Sequence, residues 1–414
     1  MPLRLLVRGQ WRSRRRRQLA VGATLAVGLL AVLCVGMLLD GAREAIIRPV
    51  HDTLSGDVRV TAGSSDLAAG LPWADARPVQ AEIRVIPGAV AAPRWEASHV
   101  TARQDRVENW TAGILVGIDP TIVEEQAPLQ GYLVWGTTLP TAPPIDPRTQ
   151  LAYVPLLVGE EAARRLDLHP GPGGGPNFAE ALRITSGRFV SGTSAPPLDR
   201  PAVVVGVFRS GLDALDRFVA FAPIGDARFL SGRGEGDPSA NAIVVHGASL
   251  GQVQALGLGL EAQDADGVAR VAMGLVLAVV DVAAIAVLAL VTVLLAVLLV
   301  REVSLQVARD APAIAALRAI GVPARTIAGS YTVLAGLTVA GAVATATLVA
   351  IAIAWFAPSI SVLGHGLAIH VPWVLRAAPL VAMAVAAVAL AVAAALAASR
   401  RLARLNVAEA LRPS

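Results

Sequence analysis

The sequence predicts a membrane protein, α-helical with four transmembrane helices, plus a large α+β extracytoplasmic domain inserted between helices 1 and 2. Three observations support this. Over 414 residues the mean hydropathy is +0.60 and 55% of residues are hydrophobic, with the apolar residues gathered into four runs, each long enough to supply the ~20 residues a spanning helix needs. Arginines flank those runs and are absent from their interiors. Between the first two runs the composition turns polar and takes in most of the prolines, the signature of a folded domain with many turns.

Residues 1–17 place Leu3, Leu6, Val7 and Trp11 on one side of a helix and Arg4, Arg8 and Arg12 on the other. That pattern predicts a cytoplasmic interfacial amphipathic helix resting on membrane lipids. Transmembrane helix 1 follows at 18–39, and Arg14 to Arg17 at its front hold the N-terminus in the cytosol. The lone cysteine, Cys34, lies in this run, so no intramolecular disulfide can form. Leu33 before it is too bulky for lipoprotein processing, and the run continues to Leu39 without a small-residue cleavage site, which predicts a retained anchor.

Residues 40–270 form the extracytoplasmic, periplasmic α+β domain. DVRVTA, GILVGI and PAVVVGVF read as strands, and the Pro/Gly-rich stretches 141–147 and 169–176 read as junctions or surface loops. Transmembrane helix 2, at 271–300, is longer than a bilayer requires and should project outward as a stalk. Roughly 28 Å of helix separates Asp281 from Val300, which puts Asp281 near the outer headgroups.

Residues 301–327 are expected at the cytoplasmic face, because Arg301, Arg309, Arg318 and Arg325 outnumber Glu302 and Asp310. Within them Asp310 is an N-cap, Pro312 fits a first turn, and Ile314, Leu317 and Ile320 recur at helical spacing up to Gly321, a natural stop. A short amphipathic helix with Arg318 exposed is predicted. Transmembrane helix 3 spans 328–357, an outer loop 358–376, transmembrane helix 4 377–398, and a cytoplasmic tail 399–414 carries Arg400, Arg401, Arg404 and Arg412. The result is a multi-pass protein of the cytoplasmic (inner) membrane with N- and C-termini cytosolic.

The net charge of +4 reflects arginines beside membrane spans, so no nucleic acid partner is expected. GASLG, residues 247–251, matches a nucleophile elbow, but Ser249 with Gln252 three residues on makes a helix cap, and the only later histidines, His365 and His370, lie beyond two spans. The six histidines show no metal-ligand spacing and read as surface or loop residues. Glu124/Glu125 and Glu160/Glu161 read as solvated faces or helix N-terminal charges. No catalytic, metal or cofactor residue is therefore assigned.

AIAALRAIGVPARTI, residues 313–327, resembles the cytoplasmic coupling segment of FtsX-like (type VII) ABC transporter permeases, E-I-x-[IV]-L-[RK]-A-[LI]-G-A-x-x-x-x-I, with Ala313 where an acidic residue is customary. GDVRV (56–60), GIDP (117–120), VGEEAARRLDLHPG (158–171) and VVVGVFRSGLDALDRFVAFAPIGDARFLSG (203–232) follow in order the outer domain of the lipoprotein-releasing (Lol-type) group, with GPGGGP inserted where that group has a GD turn. The tail LARLNVAEALRPS is similar to the family ending A-R-x-[DN]-P-x-E-A-L-R. Macrolide-exporter permeases are a more distant likeness.

The resemblance implies an ATPase-coupling helix carrying Asp310, Ile314, Leu317, Arg318, Ile320 and Gly321, which docks into a separate cytosolic ABC ATPase subunit. It also implies a dimer with a second permease copy or paralogue. Asp281, an ionisable residue in the second apolar run, reads from its own chemistry and depth as a contact between paired permeases, an ion relay, or an interfacial carboxylate facing water. ATP and Mg2+ would sit on the partner ATPase, because the chain has no lysine for a phosphate-binding loop; the permease is not an enzyme by itself. The cargo implied is a lipoprotein or other lipid-anchored molecule extracted from the outer leaflet. The alternatives are macrolide-exporter-like mechanotransmission efflux of periplasmic substrates, and an FtsX-like regulator of a cell-wall hydrolase.

Overall fold

The computed structural model describes residues 2–62, 75–106, 108–186, 189–190, 193–194, 198–234, 236–357, 360–364, 367–371 and 373–374, with single helical positions at 385, 389 and 393. The chain forms two compact units, one of Met1–Glu44, Ala278–Ile360 and Val371–Ser414, the other of Ala45–Leu277 and Ser361–His370. Helix α1 (Pro2–Val50) passes without a break through the expected boundaries at 17/18 and 39/40, and a π-helical turn, His51–Ser55, follows it. The reason is local: between Pro2 and Pro49 the sequence offers no proline to stop a helix.

The second unit continues with β1 (Val58–Thr61), α2 (Arg77–Ile83), β2 (Val90–Arg103), β3 (Trp110–Ile118), α3 (Val123–Gln130), β4 (Leu133–Gly136), β5 (Val154–Gly159) and α4 (Glu160–Arg165). Then come β6 (Leu182–Ser186), the two-residue strands β7 (Phe189–Val190) and β8 (Thr193–Ser194), β9 (Leu198–Phe208), α5 (Asp213–Phe218), β10 (Val219–Pro223), α6 (Ile224–Leu230), β11 (Ala242–His246), α7 (Leu250–Ala255) and β12 (Glu261–Asp264). The three stretches read as strands lie on β1, β3 and β9. The second Pro/Gly-rich stretch is a surface turn, tied by His169 N–H donating to Glu180 Oε2 at 2.7 Å.

One mixed sheet runs β12-β1-β11-β2-β3-β10-β5-β9-β4, and β6 pairs with both β2 and β9, closing a ring of six strands. Among the described strands of this sheet, β10 with β3 and β5 with β9 pair in parallel and the other pairs are antiparallel. Alternate residues feed opposite faces. Leu115 of β3 joins a cluster with Ala163 and Leu166 at α4 and with Ala227 and Leu230 of α6. Val116 and Ile118 join another that contains Ile46, Val50 and Leu54 from the end of α1 and its π turn. The arm of β1, β11 and β12 has its own cluster, with Ile83 of α2 and Val253 of α7. β2 belongs to both the ring and the arm, which is why no proline-rich stretch divides the domain.

α8 (Ala265–Arg309) begins in the second unit and enters the first at Ala278, where it is followed by α9 (Ala311–Ala319) and α10 (Ala324–Phe356). Leu25, Leu29, Leu33 and Met37 stack every fourth residue along α1 and share a buried cluster with Ala342, Ala346 and Ala350 of α10. Small residues at that spacing let two membrane helices approach closely. Two described helices are long and apolar enough to cross a membrane, Leu19–Ser55 and Arg325–Phe356, and Leu277–Val287 within α8 is a shorter apolar stretch. The outer loop expected at 358–376 contains a two-stranded sheet, β13 (Ile360–Gly364) with β14 (Leu367–Val371). The expected fourth span, 377–398, lies outside the described residues apart from three positions, and the tail 399–414 lies outside them entirely.

Candidate functional site

The segment between α8 and α10 is built as a helix closed at its C-terminal end by glycine. Gly321 takes φ +90°, a conformation that costs glycine nothing and a side chain much. Its N–H donates to Arg318 O at 3.0 Å while Val322 N–H reaches back to Leu317 O at 3.0 Å, the paired bonds of a Schellman motif. Val322 and Leu317 both pack against the cluster that holds Ile314, Ile327 and Tyr331. Pro323 then stands as N-cap of α10. α9 is thus anchored on its own membrane unit through Ile314, and more shallowly through Leu317.

Ile320 points elsewhere: it is 78% exposed at the C-cap. Arg318 is half-buried, against the expectation of full exposure, and Arg301, Arg309 and Arg325 are exposed. Asp310 occupies the N-cap position with no side-chain capping bond. This corrects the sequence reading: its carboxylate is buried and accepts from the Tyr331 hydroxyl of α10. Nothing local in the sequence signals a partner 21 residues away. Asp281 is half-exposed on α8.

Three expectations for the outer unit need correction or refinement. His99 is buried on β2, not on a surface or loop, and burial lowers its pKa to about 4, so it is neutral at ordinary pH. Glu125 is buried, not solvated: burial alone would raise its pKa, yet Arg94 and His246 hold it below the usual carboxylate range. Glu160 pairs with Arg209 across the surface. Ser249 sits at the start of α7, where Gln252 Oε1 accepts from its N–H at 2.8 Å and its hydroxyl at 2.9 Å, so its polar atoms serve the helix start. Among the described residues no group of three or more His, Cys, Asp or Glu side chains could hold a metal ion.

Two family models match the chain. One, described as a MacB-like periplasmic core domain, covers residues 23–262, and the other, described as the FtsX-like permease C-terminal, covers 282–407. A β-rich domain followed by apolar helices around a short capped helix is thus the architecture of a transporter permease. The chain belongs to the FtsX/MacB-type ABC transporter permeases, the first match alone taking in more than half of its length. The family places it in the inner membrane, has a cytosolic ABC ATPase as its usual partner, and carries no enzymatic activity in the permease domains themselves. No curated protein matches the chain.

Proposed function

We propose that the chain is a four-span permease with both termini in the cytosol, working as a homodimer or with a paralogue. A separate cytosolic ATPase, holding ATP and Mg2+, docks on the segment around α9. ATP-driven closure of the ATPases displaces that segment, and the spans carry the displacement to the outer domain. The work performed is extraction of a lipoprotein or another lipid-anchored cargo from the outer leaflet of the inner membrane. The ordered outer-domain motifs shared with the Lol-type group favour that cargo class.

The observation that carries the docking is the division of labour along α9. Ile314 is buried in its own unit while Ile320, six residues on, is left in the open. An apolar residue so placed is an anchor for a partner, and truncating such an anchor commonly costs about 2 kcal/mol or more. The match to a MacB-like periplasmic core domain favours, as a second reading, efflux of periplasmic substrates by mechanotransmission. Regulation of a cell-wall hydrolase is the third.

Co-purification in mild detergent tests all of these. Wild-type protein should bring down an ATPase, and Ile320→Asp should lose it while the outer domain keeps its circular dichroism spectrum. Retention of the ATPase at wild-type stoichiometry by Ile320→Asp would refute the docking. A co-purified lipoprotein supports extraction, a periplasmic adaptor supports efflux, and a hydrolase supports regulation.

A further inference from the structure

The end of α1 is held by a set of buried charges that the permease reading leaves unused. A helix that stops leaves its last carbonyls without partners. Here Arg94, on β2, reaches them: its Nη1 donates to Thr53 O at 2.8 Å and to Leu54 O at 2.9 Å, both in the π-helical turn. The guanidinium is 2% exposed, and its charge is met by Glu125 of α3, Nε to Oε2 at 2.7 Å, with that carboxylate fully buried. The other oxygen of Glu125 lies 3.0 Å from His246 Nε2 on β11.

A second set of contacts flanks this one. Tyr132 donates to Asp52 Oδ2 at 2.7 Å, His51 bridges Asp52 and Asp57, and Asp57 Oδ2 accepts from Gly247 N–H at 2.6 Å. Gly56 turns the chain at φ +54°, where a Cβ would stand 2.5 Å from Val244 Cγ1. Residues 49–57 are therefore gripped from α3, β2 and β11 at once, and π-helical turns gather at functional positions.

We infer that Arg94, held by Glu125, is a positioning residue. Its fork on the last carbonyls makes the end of α1 and the sheet one rigid piece, so that displacement of the helix reaches the domain instead of dissipating in a loose turn. This rests on the permease reading above. It differs from a stabilising role, because a buried ion pair replaced as a whole by apolar residues is often tolerated by the fold, whereas the carbonyls of Thr53 and Leu54 lose this donor to any apolar replacement.

The neighbouring pair supplies the control. Arg59 of β1 and Glu96 of β2 meet at 2.6 Å, equally buried, inside the sheet. Hydrogen exchange on the full chain in detergent is compared for Arg94→Met/Glu125→Met and Arg59→Met/Glu96→Met. The first should exchange amides 50–57 about tenfold or more faster with β2, β3 and β10 unchanged, since bonds to a charged donor are the stronger kind; the second should leave 50–57 as in wild type. Unchanged exchange at 50–57 in the first variant, or equal loosening in both, overturns the inference.

Arg94→Leu/Glu125→Gln removes every donor to the two carbonyls while keeping an acceptor opposite His246, and serves if the methionine pair does not fold; wild-type exchange at 50–57 in it likewise overturns the inference. In proteoliposomes with the ATPase, release of a synthetic triacylated lipopeptide per ATP consumed should fall in Arg94→Met/Glu125→Met while ATP turnover persists. Loosened 50–57 with undiminished release per ATP overturns the transmission role. Failure of the permease reading is distinguishable, since it would show in the wild type, by absence of an ATPase partner, and the exchange comparison needs no partner.

Discussion

The Tyr331 hydroxyl of α10 donates to the buried carboxylate of Asp310, so the residue that opens α9 is fastened to the helix that follows it. Ile314 N–H closes on Asp310 O at 2.8 Å, which ties the first turn to the same anchor. The start of the candidate coupling helix is thereby fixed by a side chain from the membrane unit, and its end by Gly321.

Tyr331→Phe removes that donor and keeps the ring packing. A buried hydrogen bond to a carboxylate is worth about 1.5–3 kcal/mol, so amides 311–319 should exchange more than tenfold faster while the outer domain is unaffected. Unaltered exchange across α9 would show that the bond does not hold the helix.

The outer domain should lose stability on mild acidification because of His99. Its pKa in the folded protein is about 4, below the ordinary 6.5. The unfolded chain therefore takes up a proton first as pH falls: the contribution is absent above about 6.5, grows down to about 4 and then levels, reaching on the order of 3 kcal/mol. Urea unfolding followed at pH 7 and pH 4.5 should show a larger drop in wild type than in His99→Gln. Equal drops would mean that another group carries the dependence.

Topology can be read by thiol labelling in a Cys34→Ala background. Gln130 and Asp213 are exposed in the outer unit, so Gln130→Cys and Asp213→Cys should react with an impermeant maleimide from the periplasmic side. Ile320→Cys should react only after the cytoplasmic face is opened. External reaction at position 320 would invert the orientation proposed for α9.

Ser249→Ala should leave transport intact and cost about 1 kcal/mol, the usual worth of a helix-capping residue. Loss of transport with the fold retained would restore the nucleophile reading of GASLG.

The order of apolar runs, the arginines beside them and the helical spacing of Ile314, Leu317 and Ile320 up to Gly321 are all legible along the chain, because each depends on neighbours within a few residues. The strands at 58–61, 110–118 and 198–208 were visible for the same reason. The tertiary structure alone decided that Glu124 and Glu125, adjacent and alike in sequence, part company, one exposed and one buried against Arg94. It likewise decided that His99 is a core residue, that Asp310 serves Tyr331 and not its own helix, and that Ile320 is the residue left outside. Each of these turns on a partner brought close by strand pairing or helix packing across tens of residues. Burial then sets the charge state and the cost of losing the contact, and no local pattern encodes either.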